Sequence, residues 1–115
     1  ADNGDGGPAT SAALSMSGGG GLYVDRKGNI FIASTSAHKI RKVDAVTGII
    51  TTVCGTGTAG FSGDGGPASA AKIYAPLGVY ADAIGNTYIA DQGNYRMRKI
   101  DTAGIITTII GTPNQ

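Results

Sequence analysis

With 115 residues the chain has the length of one small domain, which on its own buries only a modest core. Twenty residues are Gly, there is no Trp, and all eight acids are Asp, so turn formers abound and straight-chain helix formers are scarce. A net charge of +1, from nine basic and eight acidic residues, is too even to indicate nucleic acid or an anionic membrane by itself, and the single cysteine excludes an intrachain disulfide and a clustered-thiolate zinc site.

In chain order, the first recognisable phrase is Gly4-Asp5-Gly6-Gly7-Pro8-Ala9. Residues 1–6 have the look of a calcium loop, but alternate oxygen ligands and a closing Glu are missing. Gly18 to Gly21 and the Gly-Asp-Gly-Gly phrases lack the Lys-Ser or Lys-Thr sequel and long helix of a phosphate cradle. Four strands are expected next: Gly21 to Asp25, Asn29 to Ala33, Lys39 to Asp44 and Ile49 to Cys54. Between the first two, Asp25-Arg26-Lys27-Gly28-Asn29 places Gly where a hairpin needs positive φ. Cys54 has neighbours such as Thr52, Val53 and Thr56, with no adjacent cation to activate it, and reads as a small buried hydrophobe.

Gly55 to Gly66 has the composition of a flexible tether. Its closing phrase repeats the opening one, as Gly63-Asp64-Gly65-Gly66-Pro67-Ala68, which marks an ordered connection. Residues 65–73, with Pro67 followed by alanines, have room for one or two helical turns. Four more strands follow: Gly78 to Asp82, Asn86 to Ala90, Arg96 to Asp101 and Ile105 to Ile110.

These are two copies of one unit. Gly28-Asn29-Ile30-Phe31-Ile32-Ala33 matches Gly85-Asn86-Thr87-Tyr88-Ile89-Ala90, Arg41-Lys42-Val43-Asp44 matches Arg98-Lys99-Ile100-Asp101, and Gly48 to Val53 matches Gly104 to Ile109. The last strand of each copy is apolar or Thr almost throughout, which suits a sheet covered on both faces. The expected fold is all-β: two four-stranded antiparallel propeller blades, residues 1–59 and 60–115, each with its preceding inter-blade loop.

The second copy resembles the NHL-repeat family of β-propellers, through Pro76-Leu77-Gly78-Val79 with Asp82, Gly85 to Asp91, and Asn94-Tyr95-Arg96-Met97-Arg98-Lys99-Ile100-Asp101. The phrase Gly60 to Ala68 is similar to bacterial members. The first copy departs at Ser17 to Gly21, Ser34, Ser36 and Ala37, while His38 holds the family's usual His position. The resemblance implies a ring of six blades and an extracellular or periplasmic setting. The sequence by itself has no apolar run of membrane-span length and lacks a signal-peptide pattern at its amino terminus, so a cytosolic chain or a removed targeting segment is expected.

Two blades alone leave broad apolar faces in water, so further blades are expected. The connection from Gly55 to Gly66 is twelve residues, and Gly111 to Gln115 followed by Ala1 to Gly7 is also twelve, so one chain's tail meets another's head in register. Three chains assembling head to tail into a six-bladed homotrimer, or a piece of a longer tandem propeller, both satisfy this phasing.

Candidate ligand-facing residues lie in the turns between the second and third strands of each copy: His38, Asp91, Asn94, Tyr95 and Arg96. Asp and Asn there also cap their own backbone. One His per chain makes no metal cluster, and no metal or other cofactor is expected. The basic rows Lys39, Arg41, Lys42 and Arg96, Arg98, Lys99 resemble the positive stripe of RNA-binding members, but Asp44 and Asp101 end each row. Solvated charge, or stems packed between blades with heads in water, is the expectation. No Ser-His-Asp or paired-carboxylate spacing supports hydrolytic chemistry. Three readings follow from the sequence: a non-enzymatic module binding a peptide, protein or glycan, a metal-dependent lyase or hydrolase of propeller type, and a structural building block without a ligand.

Overall fold

A computed structural model of the chain describes residues 4–12 and 21–111. Eight strands form two separate four-stranded antiparallel sheets: β1 (Leu22–Val24), β2 (Ile30–Ser34), β3 (Lys39–Val43) and β4 (Ile50–Cys54), then β5 (Gly78–Ala81), β6 (Thr87–Asp91), β7 (Arg96–Ile100) and β8 (Ile106–Ile110). Each sheet is a simple meander with its strands in chain order. These are two propeller blades. The eight strands fall within a residue or two of the sequence expectation, and residues 65–73 contribute one 3₁₀ turn, Ala68–Ala70.

Turn chemistry fixes the meander. At β1–β2, Asp25 Oδ1 accepts from the backbone N–H of Lys27 and Asn29, and Gly28 sits at φ 89°. Asp82 and Gly85, at φ 110°, repeat the arrangement at β5–β6. A side chain at either glycine would enter the left-handed region that L-residues disfavour. The third hairpin of each blade is set the same way by Asp44 and Asp101. A register shift recurs at one place in both blades, Ile40/Arg41 against β4 and Met97/Arg98 against β8, leaving Val53 and Ile109 unpaired.

The outer strand of each blade does not end in an open edge. Gly6 donates to the Ile50 carbonyl, Ile50 to Gly7 and Ala9 to Gly48, so the opening phrase lies along β4. Gly65, Ile106 and Ala68 repeat these bonds against β8, with Pro67 bridged to Ile105. Covering the edge removes a template for strand addition.

The blades pack face to face and lie closest along β1, β2 and β5, the hub side, while β4 rests on the 3₁₀ turn at Ala68–Ala70. One apolar cluster spans the seam: Ala33, Ile40 and Cys54 from the first blade, Ala68, Ala71, Ile73, Ile89, Ile100 and Ile106 from the second. Cys54 is fully buried there, and desolvation pushes its thiol up to about 12. The expected buried, unreactive cysteine is what the fold contains.

Candidate functional site

The turns between β2 and β3 and between β6 and β7 carry the five candidate residues, and each turn is a single 3₁₀ turn closed by a non-glycine in the left-handed region. His38 closes the first at φ 58° and Tyr95 the second at φ 56°. His38 is half-buried; its Nδ1 accepts from the backbone N–H of Ala75 at 3.0 Å, and its ring meets Tyr74 edge-on. It thereby ties the first blade to the segment leading into the second. Asp91 is completely buried. Its Oδ1 accepts from the Tyr74 N–H at 2.7 Å and its Oδ2 from Asn94 Nδ2 at 2.9 Å. Burial raises the Asp91 carboxyl pKa against the opposing pull of Asn94, Tyr74 and the arginines. Asn94 also donates to the Gly60 carbonyl at 2.8 Å, and Arg96 lies 4.1 Å over the Phe61 ring. Tyr95 projects into solvent, 87% exposed. The fold brings Asp91, Asn94 and Arg96 together around the 60–61 connection, with His38 at the seam and Tyr95 outside.

The basic rows differ from expectation. Arg41 and Arg98 are almost wholly buried, heads included, instead of reaching water. Arg98 Nη2 donates to Asp64 Oδ1 at 2.8 Å and to the Ser62 carbonyl at 2.8 Å, and Nη1 donates to the Lys72 carbonyl at 2.9 Å. Asp91 Oδ2 stands 3.7 Å away, and Thr108 Oγ1 donates to Asp64 Oδ2 at 2.6 Å. Arg41, Asp5 and Thr52 form the same clasp in the first blade, with Arg41 Nη2 at 2.7 Å from Asp5 Oδ1. Burial would raise the Asp5 carboxyl, but the hydrogen bonds from Thr52 and Arg41 outweigh it and hold it below the ordinary range. A guanidinium is buried at tolerable cost only where most of its donors are matched, and each connection doubles back over its own blade to match them; Arg98 Nη1 and Nη2 are paired, while Arg98 Nε is buried without a hydrogen-bond partner among the described residues. Sequence reasoning missed these clasps; the signal was the joint recurrence of Asp5, Arg41 and Thr52 as Asp64, Arg98 and Thr108.

At the opposite face, beside the hairpin turns, the blades part into a groove of about 760 Å³. Tyr23, Phe31 and Tyr80 supply aromatic surface, and the Tyr23 and Tyr80 rings lie 4.8 Å apart. Lys42 Nζ stands 5.4 Å from the Phe31 ring, and Arg26 and Lys27 line the groove. Burial, a hydrogen bond with Tyr80 and the Asp25 charge raise the Tyr23 hydroxyl pKa. The acids of this rim, Asp25, Asp82 and Asp101, already accept backbone hydrogen bonds from their turns. The cationic donors Arg26, Lys27 and Lys42 are set against aromatic walls. Among the described residues, no group of three or more His, Cys, Asp or Glu side chains is placed to hold a metal ion.

Comparison with known proteins adds family context. Residues 57–115, just over half of the chain, match the family model described as Teneurin NHL domain. The chain is 35% identical over 81 residues to Protein SUPPRESSOR OF QUENCHING 1, chloroplastic, of Arabidopsis thaliana, covering 70% of this chain and 8% of that protein. It is 36% identical over 91 residues to Teneurin-1 of Mus musculus, covering 69% of this chain and 3% of that protein. Among solved structures, a structural genomics protein of unknown function from Bacteroides thetaiotaomicron superposes with a TM-score of 0.71 at 27% identity, over 91% of this chain and 26% of that one. The chain thus spans a small fraction of the proteins it matches.

Proposed function

The chain belongs to the Teneurin NHL domain family, and on that footing we propose that it serves as a non-enzymatic interaction module of a closed β-propeller. The ring is made from three copies joined head to tail, giving six blades, or from further blades of a longer polypeptide. The groove between the blades carries this reading. Its aromatic walls, phenolic hydroxyls and the Lys42 and Arg26 cations suit an extended peptide or loop of a partner protein, which offers apolar side chains and backbone carbonyls together. Binding by loops and turns on a rigid sheet scaffold follows the general division of labour in such folds.

The five turn residues bear on this proposal through shape. His38, Asp91, Asn94 and Arg96 hold the turns and connections in place, and Tyr95 is exposed on the single chain at the opposite rim. A setting outside the cytosol accords with the sequence resemblance.

The test is binding of the purified protein to peptide, glycan and RNA arrays, repeated with Lys42→Glu and Arg26→Glu. Peptide ligands are expected, weakened tenfold or more by the Lys42 change. Uniform failure on all three arrays, or peptide binding indifferent to both substitutions, refutes the reading.

A further inference from the structure

Among the described residues, several packing positions occur twice, once buried at the seam between the blades and once more open. On the receiving side, Ala33, Ile40 and Cys54 are completely buried under the second blade. Their counterparts on the second blade are open: Ala90 and Met97 are half-buried and Ile110 is 61% exposed. On the inserting side, Ala68, Ala71 and Ala81 are buried against the first blade, whereas the counterparts Ala9 and Ala12 are half-buried and Val24 is 55% exposed. The chain therefore carries one complete seam and the two unlike halves of a second.

Two details sharpen the match. A Cβ on Gly21 would lie 2.6 Å from the Leu77 carbonyl oxygen across the seam, so a glycine is required there. Its counterpart Gly78 has nothing closer to such a Cβ than Ala90 Cβ at 3.8 Å, and its φ is not in the left-handed region. The second glycine is thus unexplained within one chain and explained by a backbone arriving from outside. Tyr23 likewise packs on Tyr80, while Tyr80 itself remains 51% exposed.

We infer that a second copy of this chain seats its first blade on the open face of the second blade. Ala9 and Ala12 of the incoming copy enter the 270 Å³ apolar groove of Leu77, Ala90, Met97 and Ile110. The incoming Tyr23 continues the stack on Tyr80, and Gly111 donates to the incoming Ala9 carbonyl as Gly55 donates to Ala68. Tyr95, in the left-handed position of His38, lies at this joint. The contact is heterologous, one patch against a different one, so it propagates until rotation closes it. The inference rests on the proposed association of copies, and it names the residues that make the joint.

The test blocks the halves separately. Ala9→Arg closes the inserting side and Ile110→Asp the receiving side, both at positions already in contact with solvent in the single chain. By sedimentation, the parent protein is expected at three times the chain mass and each variant at one. An equimolar mixture of the two variants should give a 1:1 complex and nothing larger, because each retains the half that the other lacks. Should Ile110→Asp fold poorly, Gly78→Val blocks the same face in open space. A 1:1 complex from variants of a parent with some other multiple mass would refute the three-copy ring and uphold the joint. A monomeric parent, variants that keep the parent mass, or a mixture that stays monomeric overturns the joint itself.

Discussion

Removing Asp64 should destabilise the second blade far more than its partly exposed position suggests. The Asp64 side chain is 26% accessible, but its Oδ1 takes a charge-assisted bond from Arg98 Nη2 at 2.8 Å and its Oδ2 one from Thr108 at 2.6 Å. Charged hydrogen bonds contribute about 1.5–3 kcal/mol each, and stranding a buried charge costs about 3–5 kcal/mol. Two features reduce this. Asp91 remains 3.7 Å from the guanidinium, and water reaches one side of Asp64. The expected loss for Asp64→Ala is therefore about 2–3 kcal/mol. Urea unfolding followed by far-ultraviolet circular dichroism measures it as a midpoint shift at constant slope. Asp64→Ala combined with Arg98→Met should recover part of the loss, since an apolar side chain leaves no charge to satisfy. A loss below about 0.5 kcal/mol for the single change, in the range of a surface ion pair, would refute a clasp built on a buried charge.

Asp5→Ala breaks the corresponding clasp of the first blade; with Asp5 44% accessible, its cost should be smaller, roughly 1 kcal/mol by the same urea assay. Cys54, buried and with its thiol pushed up to about 12, should resist a disulfide reagent at pH 8 until denaturant is added; stoichiometric reaction of the folded protein would contradict the packing. Ala75 has φ 49°, where a Cβ costs about 1–2 kcal/mol. Ala75→Gly should therefore raise the melting temperature by a few degrees, and a lowered one would show that the strain is absent. Acid should destabilise the protein because Asp5, Asp25, Asp44 and Asp82 all titrate below the ordinary range. Their contribution is full above the unfolded value of about 3.9 and is lost as pH falls through their depressed folded values. Asp91, raised by burial, works in the opposite sense, regaining stability as pH falls toward about 3.9. Urea midpoints that stay level from pH 4 to pH 2, below the range in which Asp91 contributes, would contradict this.

The strands and hairpins were legible because they are written in local chemistry: Asp at the head of each turn, Gly at its left-handed position, β-branched residues between. The doubled sequence did the rest, since a repeat with two-sided apolar strands has few folds open to it. What escaped was non-local. Arg41 and Arg98 look like ordinary exposed strand cations until a carboxylate 36 or 34 residues upstream is brought to them. Nothing local distinguishes them from Lys42 and Lys99, which lie on the opposite side of the same strands. The left-handed backbone of His38 and Tyr95 escaped for another reason, because a non-glycine in that region is held by its surroundings and leaves no signature in composition.

The clasps also explain how a Gly-rich connection can deliver a seam. Asp64 is fixed on Arg98, and Pro67 is bridged to Ile105, so the chain emerges from its own outer edge in a single direction. The next residues form the 3₁₀ turn that sets Ala68 and Ala71 beneath Cys54 and Ile40, where Gly55 donates to the Ala68 carbonyl. A flexible connection would lose conformational freedom on docking and weaken the contact. Here that freedom has been surrendered within the blade, at the cost of burying a guanidinium, before the neighbour arrives. The first blade repeats every part of this arrangement, from Asp5 on Arg41 through the bridge of Pro8 to Ile49 and on to Ala9. A surface so thoroughly prepared is shaped for a neighbour of the same design.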